Sequence, residues 1–512
     1  MGNNAFSATD SLISLNLSRN AINTIEVNSF ASGLNLSVLD VSYNNLSNLD
    51  FLQKALEALT ELYINNNKLS AIKQGTFVNQ TNLKKLDLSI NFILTIENFS
   101  LPLLNLQYLN VTGNLLQGSL KGNVISPSTF LKFLDFSSFN YTSVEDRLTN
   151  LNSLYLQNNR LTSLADNCFT SLKDLTTLNL RNNQLTAINV TLIHLKNLKT
   201  LDLAFNHLFK LIGFELNRLD SLTFLNMSHN DIEEVESNCF IQAFRLISID
   251  LSNNKIKSPI ENVMFINNNH LQCLYLSNNS IEQIQDDAFK HNVLTTLNLD
   301  KNNLKGEISA IRENAFSTAN NLVHLNLSRN VIHTIEKSSF SPSLPLIVLD
   351  VSYNKLSSLQ FLNDTLLSLT ELYVNNNNLT SISKGTFRNH TNLKKLDLSM
   401  NLIVTIDQLS LPLLNLQYLN YLRFLDFSCL NFRKVEDGAF IDSPLLARVN
   451  LSYNAIEFIG SNNFMNMENL YSLDLSYNKL IRLQMNNSYF VPLFIIKVHD
   501  IAESEMNTKD CF

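Results

Sequence analysis

Residues 81–110 read TNLKKLDLSINFILTIENFSLPLLNLQYLN, and residues 391–420 read TNLKKLDLSMNLIVTIDQLSLPLLNLQYLN. Inside the first lies LKKLDLSINFI, which sets Leu83, Leu86, Leu88, Asn91 and Ile93 on the pattern LxxLxLxxNxL. Its LxL core alternates with period two, so Leu86 and Leu88 turn inward while Asp87 turns to the opposite face of a short strand. Asn91 follows where the chain must turn, and its amide can bond backbone groups that the turn leaves unpaired.

The same template recurs as LISLNLSRNAI from Leu12, LTELYINNNKL from Leu59, LTTLNLRNNQL from Leu175, LISIDLSNNKI from Leu246 and LYSLDLSYNKL from Leu470. About twenty such units tile the chain as far as Leu483, most of them 23 to 25 residues apart. A unit this short cannot bury its apolar face alone, so the units must stack, with parallel strands about 4.8 Å apart. Stacked copies of the turn asparagine would form an internal ladder through Asn20, Asn44, Asn67, Asn91, Asn183, Asn254, Asn330, Asn354, Asn401 and Asn478. Farther along each unit comes a Phe, as at Phe30, Phe77, Phe289 and Phe464. A second apolar spine of one ring size accounts for 32 Phe in a chain without Trp.

The template is the leucine-rich-repeat signature. Units of this length with a late xxxxFxxLxxL segment resemble the extracellular leucine-rich repeats of animal cell-surface proteins, such as Toll-like receptor ectodomains and the insect adhesion protein chaoptin. The resemblance covers almost the whole chain and implies an α/β-type solenoid. Mostly short parallel strands, with loops and 3-10 turns, would form a curved horseshoe of about 20 repeats. Residues 1–483 form the solenoid on this reading, and 484–512 a degenerate C-terminal segment. No Cys-rich cap, membrane span or signalling domain accompanies the repeats.

Residues 4–110 align without a gap to 314–420, with about two-thirds of positions identical. A block of several repeats was therefore copied. The match resumes as FLDFSSFNYTSVED from Phe133 against FLDFSCLNFRKVED from Phe424, where the offset has dropped from 310 to 291. The second copy thus lacks 19 residues, and the first omits a counterpart of Phe440. A solenoid absorbs such defects because each repeat touches only its neighbours. Irregular backbone is expected near 140–151 and 416–424. NNAFSATDSLISL at the start aligns with ENAFSTANNLVHL from Glu313, so Met1 falls inside a repeat, which suggests a fragment or a mis-assembled gene model.

Composition narrows function. Asn makes up roughly 15% of residues and charged residues 16%, both far from ordinary usage. A net charge of -7 argues against nucleic acid, whose binders carry a basic stripe. The start has no secretory leader, and the longest late apolar run, FVPLFIIKV, is too short to span a bilayer. Cys168 and Cys239 precede spine Phe residues three repeats apart, about 14 Å at strand spacing. That exceeds the roughly 7 Å between Cα atoms that a disulfide tolerates, so both read as small buried thiols. No pattern of His, Cys, Ser or Gly suggests a metal site, a nucleophile or a phosphate loop, so the chain reads as no enzyme, without cofactor or metal.

The outward mid-strand position is left to carry recognition. It reads as an acidic and amide-lined concave face with Tyr set into it, and Tyr63, Asp87, Tyr155, Asp202, Asp250, Tyr275, Asp350, Tyr373 and Asp397 are its candidate ligand-binding residues. Such a face favours a basic or polar protein partner or a microbial ligand. Homodimers or heterodimers through the solenoid are compatible with it. About sixteen N-x-S/T sequons occur, near chance for this composition. Asn79 and Asn389, in loops away from the sheet, are the glycosylation candidates. The expected role is a non-enzymatic protein-recognition module, the ectodomain or part of the ectodomain of a cell-surface or secreted receptor in innate immunity or cell adhesion, with the ligand read by the concave face or its flank. An intracellular scaffold is the alternative.

Overall fold

A computed structural model describes the chain except for residues 7, 10, 99, 121–129, 145–149, 166–167, 213–215, 217, 291, 305–309, 312–313, 384–385, 388, 404–422, 436–439, 441–444, 461–462, 465–466, 484–494 and 499–512. The chain divides into two compact units, Met1–Asn254 and Lys255–Phe512. Each is a solenoid of coils with one three-residue parallel strand per coil. In the first unit the strands run from Ser14–Asn16 to Ser248–Asp250, and in the second from Cys273–Tyr275 to Ile495–Lys497. The last strand therefore lies beyond residue 483, inside the segment read as degenerate.

Neighbouring strands keep their template positions level, as in Leu39↔Leu62 and Leu62↔Leu86. These central leucines are fully buried, and so is the second leucine of each LxL, such as Leu88. Each such side chain contributes about 2 kcal/mol by leaving water. The return path holds no α-helix among the described residues. It is built from turns, short 3-10 helices such as Asp50–Leu52 and Gln360–Leu362, and outer parallel pairs such as Ala71–Ile72 with Thr95–Ile96. Phe30, Phe77, Phe289 and Phe464 are buried there, with Phe289 and Phe316 stacked at 6.1 Å. No helix among the described residues is long and apolar enough to cross a membrane.

The strands stop after three residues because the chain then turns through left-handed backbone. The residue before the ladder asparagine has positive φ in coil after coil, as at Tyr43 (53°), Asn66 (57°) and Asn376 (57°). Even β-branched Ile90 is held at 51°, a conformation that costs it steric strain. One turn uses glycine instead: Gly113 has φ 69°, and a Cβ there would meet Ile90 Cγ1 at 3.2 Å.

The asparagine ladder stabilises these turns. Asn67 Nδ2 donates to the carbonyl of Ile64 in its own coil and of Val41 in the coil before, both at 3.0 Å. Its Oδ1 accepts the N–H of Leu46 at 2.9 Å. Asn377, its counterpart 310 residues on, repeats the set with Val374, Val351 and Leu356. The ladder also runs through Asn114, Asn159, Asn206, Asn230, Asn302 and Asn454, which the template reading did not name. Phe139 and Leu430 interrupt it in the matching coil of each copy. In the second copy Asn454 Oδ1 accepts the N–H groups of both Leu430 and Phe432 at 3.0 Å.

The copies diverge after their shared strands. Lys85–Asp87 pairs with Tyr108–Asn110, which pairs with Phe133–Asp135. Lys395–Asp397 pairs directly with Phe424–Asp426. Residues 416–422, where irregular backbone was expected, lie outside the described residues. At the other such place the inner strands Phe133–Asp135 and Ser153–Tyr155 keep their register. A register shift falls between Tyr141 and Ser143 in the outer pair that Asn140–Val144 makes with Gln117–Leu120. Among the described residues no disulfide forms: Cys168 and Cys239 are buried beside spine Phe169 and Phe240, and Cys273 and Cys429 are half-buried.

Candidate binding face

A three-residue strand with its central residue buried turns its first and third residues to one open face. The third position holds Tyr63, Asp87, Tyr155, Asp202 and Asp250 in the first unit and Tyr275, Asp350, Tyr373 and Asp397 in the second, all half-buried. The carboxylates among them also serve the backbone. Asp87 Oδ1 accepts the N–H of Ser89 at 2.9 Å and its hydroxyl at 2.6 Å. Asp202, Asp250, Asp350 and Asp397 each take the N–H two residues on in the same way. Asn226 makes the identical turn with Ser228, so an amide suffices for it. One carboxylate oxygen is therefore structural, and the negative charge is not required by the fold.

The first strand position was missed by a reading that followed only the residue between the two leucines. Period two puts positions i and i+2 on one face, so Glu61, Lys85, Tyr108 and Phe133 share the open face with Tyr63 and Asp87. That arithmetic was available in the sequence. The contacts were not. Tyr63 OH donates to Glu61 Oε2 at 2.6 Å, and Lys85 Nζ stands 4.9 Å from the Tyr63 ring and 5.2 Å from that of Tyr108. Tyr108 stacks on Phe133 at 4.3 Å, and Phe133 lies 5.2 Å from Tyr155. The second unit carries Tyr373 OH donating to Glu371 at 2.6 Å, with Lys395 Nζ donating to Tyr373 OH at 2.8 Å.

The electrostatics are one-sided in the first unit. Its three-residue inner strands present Asp40, Glu61, Asp87, Asp135, Asp202 and Asp250, and among the described residues Lys85 is the one Lys or Arg on them. In the second unit Lys395, Arg448 and Lys497 offset Asp350, Glu371, Asp397, Asp426 and Asp474. Burial raises the carboxyl pKa of Asp135, Asp202 and Asp397, and the neighbouring Asp426 adds to the effect at Asp397. Burial also raises the phenol of Tyr63, followed by its hydrogen bond to Glu61. Asn79 and Asn389 lie on the return path. The half-buried Asn79 donates to the Gln53 carbonyl at 2.6 Å, and the exposed Asn389 to Asp364 at 2.9 Å.

Comparison with known proteins places the repeat. The model described as "Leucine rich repeat" matches residues 57–116, 149–208, 244–304, 368–421 and 420–480, more than half the chain. The model for two such copies matches 34–75. The chain is 31% identical over 289 residues to the transforming growth factor beta activator LRRC33 of Danio rerio, covering 50% of this chain and 41% of that protein. It is 28% identical over 387 residues to podocan of Mus musculus, covering 70% and 57%. The chain thus spans about half the length of these relatives. Among solved structures, Toll in the Drosophila Toll–Spatzle complex superposes with a TM-score of 0.62 at 18% identity, covering 92% of this chain and 72% of that one.

Proposed function

The chain belongs to the leucine-rich-repeat family, and from that premise we propose a specific role: the ectodomain, or part of it, of a cell-surface or secreted receptor in innate immunity or cell adhesion, with no catalytic activity. It takes a protein or microbial ligand on the open face of its sheet. One observation carries this reading. The outward strand residues of the first unit form a connected acidic and aromatic surface, and their charges are not needed for folding. A surface of preset aromatic rings among carboxylates suits a basic or polar protein partner. Toll, whose coils superpose on these, is found in complex with Spatzle, which supports the protein-ligand reading. Glycans on Asn79 and Asn389 would leave the open face clear.

The test is a screen of the purified chain against secreted proteins, cell-surface proteins and microbial surface fractions. Asp202→Asn with Asp250→Asn, which keeps an oxygen for each turn, should reduce binding of the captured ligand at least about tenfold. Charge reversal at the exposed return-path residues Lys54 and Glu57 should leave it within about twofold. Equal loss from both pairs would overturn the assignment of ligand to this face. Glycosidase-sensitive mass that disappears with Asn79→Gln and Asn389→Gln would support passage through the secretory route. Its absence on protein expressed through that route would refute the glycan assignment.

A further inference from the structure

Resting on the open face as the recognition surface, we infer that the copied block carries two equivalent receptor sites for a basic side chain of a protein partner, one in each unit. In the first, three adjacent strands present Val38 and Asp40, Glu61 and Tyr63, Lys85 and Asp87, with Asp40↔Tyr63↔Asp87 in register. In the second, Val348 and Asp350, Glu371 and Tyr373, Lys395 and Asp397 stand in the same register. Every residue type on the two grids is identical. Side-chain geometry is copied as well, since both phenols donate to their glutamate at 2.6 Å. Both lysines lie over the tyrosine ring, at 4.9 Å and 4.5 Å. Each tyrosine is thus held between a carboxylate and an ammonium before any partner arrives, which lowers the entropy lost on binding.

The charge on each grid selects the ligand. Asp40, Glu61 and Asp87 outnumber Lys85, and Asp350, Glu371 and Asp397 outnumber Lys395. Asp40, Asp87, Asp350 and Asp397 each commit Oδ1 to the backbone turn, and among the described residues none of them forms an ion pair. Lys85 comes to the ring from the following strand, while the preceding strand brings Asp40 and Val38 and no cation. A guanidinium or ammonium entering beside Asp40 finds an aromatic ring and a carboxylate together, the pairing that favours a desolvated cation. A carboxylate entering there meets three others. One metal ion cannot bridge Asp40 and Asp87, which stand two strands apart, about 10 Å. The occupant is therefore an arginine or lysine of a protein segment, and the chain offers two such sites because the block occurs twice.

The experiment uses the full chain labelled with 3-fluorotyrosine and followed by fluorine NMR. Tyr63→Phe and Tyr373→Phe identify the two resonances. Titration with the peptide acetyl-Gly-Arg-Gly-Arg-Gly-amide should shift both, with dissociation constants within about threefold of each other. Asp40→Asn should weaken the first site about tenfold and leave the second unchanged, and Asp350→Asn should do the reverse. The unaffected site reports in the same molecule that the variant is folded. No shift at either resonance, an equal shift with the glutamate version of the peptide, or shifts indifferent to Asp40→Asn would overturn the inference. Spermine matching the peptide would overturn the protein-segment occupant. Silent resonances together with loss of ligand through the Asp202→Asn and Asp250→Asn substitutions would sink the two sites and leave the open-face reading standing.

Discussion

Phe6, Phe30 and Phe51 succeed one another at 5.5 and 6.1 Å, and Phe316, Phe340 and Phe361 at 5.4 and 6.1 Å. Over most of their length the two copies of the doubled block are the same object, built once in each unit. Two of their differences bear on how the coils stack and on how they answer acid. Tyr108–Asn110 follows Lys85–Asp87 in the first copy, whereas Phe424–Asp426 takes that place in the second. Gln80 of the first copy is His390 in the second, both buried. The first difference shows that coils are exchangeable: any strand with the template can dock on the last, because contacts reach only to the neighbour. Charge is less forgiving. Asn110 separates Asp87 from Asp135, while in the second copy Asp397 lies directly beside Asp426.

Three measurements can break or sharpen this comparison. The largest effect should come where the copies agree. Asn67→Ala leaves the Leu46 N–H without its acceptor and takes one donor from the Val41 and Ile64 carbonyls, which keep Asn44 and Asn91, at a cost of about 3 kcal/mol. Asn377→Ala should cost the same within about 1 kcal/mol. Urea unfolding of the two variants checks this, and a twofold difference in cost would mean that the copies are not energetically equivalent.

Nearly as large is a response to acid confined to the second copy. Gln80 Nε2 donates to the Leu52 and Ala55 carbonyls, at 2.9 and 3.1 Å. His390 instead packs edge-on to Phe387 at 5.9 Å, and burial lowers its pKa from 6.5 to about 4, partly offset by the Thr365 backbone. The unfolded chain then binds the proton first. Stability is complete above about pH 6.5, falls as pH drops toward 4, and loses up to about 3 kcal/mol. His390→Gln should flatten this slope, and Gln80→His should transfer one to the first unit. Denaturation at pH 7, 5.5 and 4.5 decides it, and an unchanged slope in His390→Gln would remove the histidine from the account.

The smallest effect concerns the carboxylates brought together by the missing coil. Asp397→Asn keeps an oxygen for the Ser399 turn, as Asn226 does for Ser228, and removes a half-buried charge. The folded pKa of Asp397 is raised, so its ionisation opposes folding above the ordinary carboxylate pKa. The substitution should therefore stabilise by about 0.5 kcal/mol at pH 7 and not at pH 3. Asp87→Asn, flanked by neutral Asn110, should change stability by less than about 0.3 kcal/mol. Equal gains in the two copies would mean that the Asp426 neighbour is immaterial.

Most of the architecture was legible because it is written in short-range periodicity. Leu86, Leu88 and Asn91 declare a strand and a turn from eleven consecutive residues, since alternation and turn chemistry act within a coil. Repetition of the template then implied stacking and the asparagine ladder. Glu61 and Lys85 are legible by the same alternation, since strand positions i and i+2 share a face, although the repeat template marks only the residue between its leucines. Other features lay beyond any local pattern. The meeting of Lys85 with Tyr63 depends on how neighbouring coils are set in register. The sequence by itself determined the coil, its spines and the doubling, since these follow from where each side chain stands on its own strand. Only the tertiary structure decided that Phe424 succeeds Lys395 and which charges stand side by side, because those outcomes depend on which strand docks on which.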